Sequence, residues 1–310
     1  MRVLVYIAPR VHPNIYGRIE CELDKIDKVI CYTSNGVFSY NKNNLSDLYQ
    51  TASILPRGKI DKLRLLFFLL KLWFKGFELK ILYRDAYSFF DFLIIFLFKK
   101  SVTIIYQHKL QDNWKLWKLL YFFFNVQSNV INRLAQPGTK YFYPLYPSKL
   151  INEFINNKKY SSSIVIVSKY EERKRIEDAI KLCTGLFETI TVIGVIKNLE
   201  YYNNLKRTYP TINFYFDLLY VDCLELMSKH ENYLLYSDNE PAAVSPLEAV
   251  ILGLNVFVRA NNGTNDYFIC GCEIVDSDQF TFSKADIRDL QYRKYTEILK
   301  KHGIINLFQK

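Results

Sequence analysis

The sequence predicts an α/β protein made of two doubly wound βα units in tandem. Short β-rich apolar runs alternate with longer segments of helical period along most of the chain. That alternation marks parallel sheets covered on both faces. It breaks once, at Tyr143-Pro144-Leu145-Tyr146-Pro147, and restarts after the polar run Ser161-Ser162-Ser163, the best candidate for an interdomain linker. A length of 310 residues is enough for two modest domains, each with its own core. The expected domains are therefore 1–150 and 160–285.

In the first half, strands are expected at 3–7, 28–32, 79–83 and 102–106, with helices at 60–74, 88–98 and 114–125 between them. In the second half, strands are expected at 164–167, 189–195, 212–215, 232–236 and 255–259. The intervening helices are 173–182, 199–209, 224–229 and 245–252, and a charged helix from about 284 to 301 closes the chain. Doubly wound units bind ligands at the carboxyl ends of their strands, so chemistry is sought in the loops that leave those ends.

Half of the residues are hydrophobic and 16% are aromatic, which excludes a disordered chain. The abundance of Lys, Asn, Ile, Tyr and Phe reads as codon bias from an AT-rich genome. Charge is unevenly spread: residues 1–155 hold 22 Lys+Arg against 11 Asp+Glu, while residues 156–310 hold 19 against 20. An excess of this kind suits a negatively charged partner, such as a membrane surface, a phosphorylated lipid or polysaccharide, or nucleic acid; it equally fits a merely solvated surface. The six cysteines show no C-x-x-C pair, and reduced thiols in a cytosolic protein are expected. MRVLVYIAP reads as a first buried strand rather than a signal peptide. The apolar runs LRLLFFLL and FLIIFLF fall well short of the ~20 residues a membrane span needs.

The most informative segment is YSDNEPAAVSPLEAVILGLNVFVRANNGTNDYF, Tyr236 to Phe268. It sets Glu240 in a strand-to-helix turn and Glu248 on the following helix, so both carboxylates can reach a ligand at the helix start. Free N–H groups and the positive dipole end there suit phosphate, and a carboxylate accepts two sugar or ribose hydroxyls. A second reading fits the same residues. Ser245-Pro246-Leu247-Glu248 matches a capping box, in which Glu248 merely returns to the backbone of Ser245.

EPAAVSPLE resembles the E-x7-E motif of retaining GT-B glycosyltransferases, especially glycosyltransferase family 4. Ser237, Glu240, Glu248, Ala249, Gly253 and Val256 match that family's pattern, with Asn255 in place of its usual Pro. The resemblance implies two Rossmann-like domains facing a central cleft, with the closing helix (286–310) packing back toward the N-terminal domain. It implies that Glu240 contacts the transferred sugar, that Glu248 holds the ribose hydroxyls, and that backbone N–H groups near Ala243 and Val244 face the diphosphate. Gly263 and Thr264, in Asn262-Gly263-Thr264-Asn265-Asp266, resemble the loop that follows the next strand in the family. IVIVSKYEERKRIEDAI, Ile164 to Ile180, resembles its G-R-L-x-x-x-K-G segment, with Lys169 on the family's Arg and Lys174 on its Lys. Two fixed cations there stabilise charge developing on a leaving diphosphate. Ser168 and Arg175 stand where the family has Gly, and Arg173 or Arg175 is an alternative to Lys174 as the second cation. In the first half, Gly17 and Arg18 fall where the family has a Gly-Gly loop, an acceptor-side position. His108 falls where a strand often ends in a His facing the donor sugar, and Asp85 is an acceptor-side candidate.

Asp276-Ser277-Asp278 mimics the D-x-D metal site of the other glycosyltransferase fold, but it follows a complete donor motif and carries no metal expectation. The expected activity is transfer of a hexose-like unit from a nucleoside diphosphate sugar to an acceptor hydroxyl, with retention and with neither metal nor cofactor. The expected acceptor is an anionic or lipid-linked glycan, as in bacterial capsule or lipopolysaccharide biosynthesis. Such an enzyme would be cytoplasmic, held peripherally at the inner face of the cytoplasmic membrane. No nucleic-acid reading motif is found. A catalytically degenerate GT-B scaffold and a sugar-nucleotide epimerase are the alternatives.

Overall fold

The structure is a computed structural model. It describes residues 1–7, 26–33, 36–41, 59–84, 89–98, 101–106, 126–128, 140–141, 151–237, 243–259 and 273–275, together with residues 290, 291, 293, 294 and 297. The chain divides into two compact units, Met1–Pro147 and Ser148–Lys310.

In the first unit a seven-stranded sheet runs in the order β3-β2-β1-β4-β5-β6-β7. Its strands are β1 (Arg2–Ile7), β2 (Lys28–Thr33), β3 (Gly36–Asn41), β4 (Glu78–Arg84), β5 (Val102–Tyr106), β6 (Val126–Ser128) and β7 (Lys140–Tyr141). All pairings are parallel except β2 with β3. β1 sits between β2 and β4 with residues 3–7 buried, which explains its unbroken apolar run. Helix α1 (Lys59–Phe74) buries Leu65, Leu66, Leu69 and Leu72, and α2 (Phe89–Leu97) buries Ile94 and Ile95 in the same core as Val3, Val5, Ile7 and Ile81. The expected strands and the helices at 60–74 and 88–98 are present within a residue or two; the helix expected at 114–125 lies outside the described residues. β3, β6 and β7 were not expected. Thr33 pairs with Gly36, so only Ser34 and Asn35 join β2 to β3.

In the second unit a six-stranded, all-parallel sheet runs β10-β9-β8-β11-β12-β13. Its strands are β8 (Ser163–Val167), β9 (Thr189–Gly194), β10 (Asn213–Phe216), β11 (Asn232–Leu235), β12 (Asn255–Arg259) and β13 (Glu273–Val275). The helices are α3 (Ile176–Cys183), α4 (Leu199–Thr208), α5 (Tyr220–Ser228) and α6 (Ser245–Ile251). α3 shows why the period-3.6 pattern works. Ile176, Ala179, Ile180 and Cys183 form one buried stripe, while Glu177 and Lys181 pair on its outside at 2.9 Å. Each large aliphatic side chain on such a stripe stabilises the unit by about 1.5–3 kcal/mol.

Two helices differ from expectation. The segment expected to be helical over 173–182 is a 3-10 turn, Glu172–Lys174, followed by Arg175 at φ 53° and ψ 38°, and only then α3. A left-handed residue cannot continue a right-handed helix, so the first turn is split off. The helix expected at 224–229 begins four residues earlier, at Tyr220. At the far end of the chain, the Gln291 side chain accepts from the Val256 N–H at 3.1 Å and donates to the Val256 carbonyl at 3.0 Å. Gln291 thus satisfies both backbone groups of a β12 residue from outside the sheet.

Candidate functional site

The order of the second sheet defines where a ligand belongs. From β8 the chain steps outward through β9 and β10, then returns to the other side of β8 as β11 and continues to β12. The switch point lies between the carboxyl ends of β8 and β11, the crevice that open α/β sheets use for ligands.

The loop leaving β8 is rigidly held. The Ser168 N–H donates to the Ile193 carbonyl at 2.9 Å, and the Tyr170 N–H to the Val195 carbonyl at 3.0 Å. The Tyr170 hydroxyl lies 2.9 Å from the Val192 carbonyl oxygen and 2.8 Å from that of Tyr215, and its ring meets Tyr202 edge-on. The loop lies so close to β9 that a Cβ on Gly194 would run into the Ser168 carbonyl. On this loop Lys169 is exposed and Lys174 is buried. Arg173 turns outward to Glu171 at 2.8 Å.

Arg175 turns inward. Its guanidinium lies over the Tyr236 ring at 5.5 Å, with Nε donating to Asp178 Oδ2 at 2.7 Å. Tyr236 directly follows β11. In the β11–β12 register Leu235 faces Val258, so one step further Tyr236 stands level with Arg259. The Arg259 guanidinium accordingly lies 4.9 Å from the same ring. Two permanently charged groups share one aromatic ring beside the switch point.

The next loop and α6 complete the described part of the site. Ser237 and Ala243 are buried, and Val244 is the residue before α6. The two readings of Ser245-Pro246-Leu247-Glu248 now separate. Among the described residues no side chain caps α6. The Ser245 hydroxyl is instead 2.7 Å from the Tyr233 hydroxyl, and Glu248 Oε1 accepts from the Tyr220 hydroxyl at 2.8 Å. The capping box is not formed, which leaves Glu248 as a buried carboxylate with one hydroxyl donor. Burial pushes its carboxyl up to about 7, and the Tyr220 hydrogen bond acts in the opposite direction. Burial and the neighbouring Glu248 charge also push up the Cys223 thiol.

Of the other sequence candidates, Glu240, Gly263, Thr264, Gly17, Arg18, Asp85 and His108 lie outside the described residues. The structure adds Tyr220, Tyr236 and Arg259, which the sequence reading did not single out, and it turns Arg175 rather than Arg173 toward the crevice. By contrast, His230 is a core residue. Its ring nitrogens lie 2.9 Å from the Leu226 carbonyl and 2.9 Å from the Thr191 hydroxyl, and burial lowers its pKa to about 4.

No family model matches the sequence, and the search of curated proteins gives no significant match. Solved structures do match over nearly the whole chain. The trehalose-6-phosphate synthase OtsA is 11% identical with a TM-score of 0.57, covering 99% of this chain and 97% of that one. HepE from Anabaena, solved with UDP and glucose, is 14% identical with a TM-score of 0.58, covering 97% and 99%. Sucrose-phosphate synthase from Thermosynechococcus elongatus is 13% identical with a TM-score of 0.58, covering 99% and 92%. The fold is GT-B. Both units take part in that likeness, in keeping with the two sheets described above, the first parallel but for its β2–β3 pairing and the second parallel throughout.

Proposed function

We propose that this GT-B chain is a glycosyltransferase whose second unit binds a nucleoside diphosphate sugar at the switch point between β8 and β11. The observation that carries the reading is the convergence of Arg175 and Arg259 on Tyr236, with the buried carboxylate of Glu248 on α6, the helix between β11 and β12. The chemistry matches the parts of such a donor. A diphosphate needs fixed positive charge, and the two guanidiniums supply it with Lys169 and Lys174 on the same β8 loop. A ribose offers two neighbouring hydroxyls, and Glu248 has the acceptor capacity to take both. HepE, a structural neighbour, was solved with UDP and glucose, and a starch synthase of the same fold with ADP and acarbose.

Catalysis in this reading is leaving-group stabilisation. As the anomeric C–O bond breaks, negative charge grows on the diphosphate, and preorganised cations lower the barrier without reorganising. Side-chain cations fill the role a divalent metal would otherwise take, so the reaction runs without metal or cofactor. Glu240 contacts the transferred hexose, configuration is retained, and the first unit, with Gly17, Arg18, Asp85 and His108, receives the acceptor. The excess of Lys+Arg in residues 1–155 supports an anionic or lipid-linked glycan acceptor, as in capsule or lipopolysaccharide assembly. It also supports peripheral work on the cytoplasmic face of a membrane.

Thermal denaturation against a panel of nucleoside mono- and diphosphates and their sugars tests the donor assignment. A diphosphate at a hundred times its Kd stabilises by about 2.7 kcal/mol, a rise of roughly 4 °C for a chain of this size. Failure of every diphosphate to outperform its monophosphate would remove the reading.

A further inference from the structure

We propose that the outer face of α1 is the surface by which this protein lies on an anionic lipid bilayer. This deepens the peripheral association suggested above and rests on that reading. The inner face of α1 is accounted for, since Leu65, Leu66, Leu69 and Leu72 are in the core. The opposite face is where a soluble helix carries polar residues, and here it does not. Ile60, Leu63, Phe67 and Phe74 follow one another at spacings of three, four and seven residues, which places them in one stripe. Ile60 is 68% exposed, Phe67 61% and Phe74 77%. Trp73 beside Phe74 is exposed as well, as are Phe96 and Leu97 at the end of the neighbouring α2. An exposed apolar patch of this extent marks an interaction site.

Charge selects the occupant. Arg64 and Lys71, seven residues apart, border the stripe, and Lys75 follows its end; all three are exposed. Residues 59–80 hold six Lys+Arg against Asp61 and Glu78. A second copy docked face to face on this helix would set like charges against each other. An acidic headgroup layer over a hydrocarbon interior complements both parts at once. The rings enter the acyl boundary while the basic side chains stay at the phosphate level. The helix is about 24 Å long, too short to cross a bilayer and well suited to lying in its surface. None of the described helices is long and apolar enough to cross a membrane.

Co-sedimentation of the full chain tests this. Vesicles would be of phosphatidylcholine alone or of phosphatidylcholine mixed with phosphatidylglycerol, with no sugar nucleotide present. The chain is expected to bind the mixed vesicles and to lose that binding as salt rises. The double variant Phe67→Ser/Phe74→Ser should weaken partitioning roughly tenfold per ring. Arg64→Gln/Lys71→Gln should weaken it roughly fivefold per charge, on mixed vesicles only. All four side chains are exposed, so both variants should melt with the parent and keep its nucleoside diphosphate binding. Binding to mixed vesicles that neither variant alters would overturn the α1 assignment while leaving a membrane-bound enzyme standing. Absence of binding would overturn both, and a wild-type dimer that the Phe variant converts to monomer would give the face to a second copy.

Discussion

Replacing Arg175 with glycine separates the backbone of the site from its charge. Arg175 sits at φ 53°, ψ 38°, a conformation that costs an ordinary residue roughly 1–2 kcal/mol and glycine almost nothing. Against that relief stand losses in both the folded and the unfolded state. The ion pair with Asp178 is partly exposed and worth well under about 1 kcal/mol. The contact with Tyr236 is worth about 0.5–1 kcal/mol. Glycine also adds about 0.5–1 kcal/mol of unfolded-state entropy. These nearly cancel, so Arg175→Gly should leave the unfolding free energy within about 1 kcal/mol of the parent. Binding should not survive as well, because a charge-assisted hydrogen bond to diphosphate contributes about 1.5–3 kcal/mol, roughly 10–150-fold in Kd. Arg175→Ala keeps the strain and loses the contact, so it should be less stable than the glycine variant with a similar loss of affinity. Calorimetric titration with nucleoside diphosphates, beside urea unfolding of the three proteins, measures both. Unchanged affinity in Arg175→Gly would show that the guanidinium does not face the ligand.

Glu248 sets a pH signature of definite sign. Its folded-state pKa of about 7 lies above the ordinary 4.5, so the folded protein holds the extra proton between those values and its stability falls as pH rises through that window. His230, lowered from 6.5 to about 4, has the opposite slope and masks the effect in the parent. Urea unfolding should therefore show Glu248→Gln gaining on the parent by up to about 3 kcal/mol between pH 4.5 and 7; a constant difference would contradict the buried setting of Glu248. Tyr220→Phe removes the hydroxyl that accompanies the carboxylate and should move the pH dependence of diphosphate binding upward, read by titration across pH 6–9. Gly194→Ala forces the Ser168 carbonyl aside and should cost several kcal/mol, seen as a lowered melting temperature together with weaker ligand binding.

The parallel cores were legible because strands buried on both faces read as unbroken apolar runs, as in β1 and β8, and helices such as α3 bury one clean stripe. The short strands β6, β7 and β13, of two or three residues, carry too little pattern to be found. Arg175 looked like an ordinary first-turn helix residue. Only the family resemblance, with Gly at that position, hinted at its left-handed backbone. The pairing of Tyr236 with Arg259 spans 23 positions and depends on the β11–β12 register, which composition does not reveal. Tyr220 was hidden because α5 was expected to begin at residue 224, beyond it. Glu248 was legible as a candidate, but its two possible roles were not separable until the structure gave Ser245 to Tyr233.

The most direct test is a crystal structure of the protein with a bound nucleoside diphosphate. The account predicts the diphosphate at the carboxyl ends of β8 and β11, with Arg175 and Arg259 in hydrogen-bonding range of its oxygens and the ribose hydroxyls on Glu248. A nucleotide lodged elsewhere, with both guanidiniums still resting on Tyr236 and Glu248 still holding only Tyr220, would contradict it.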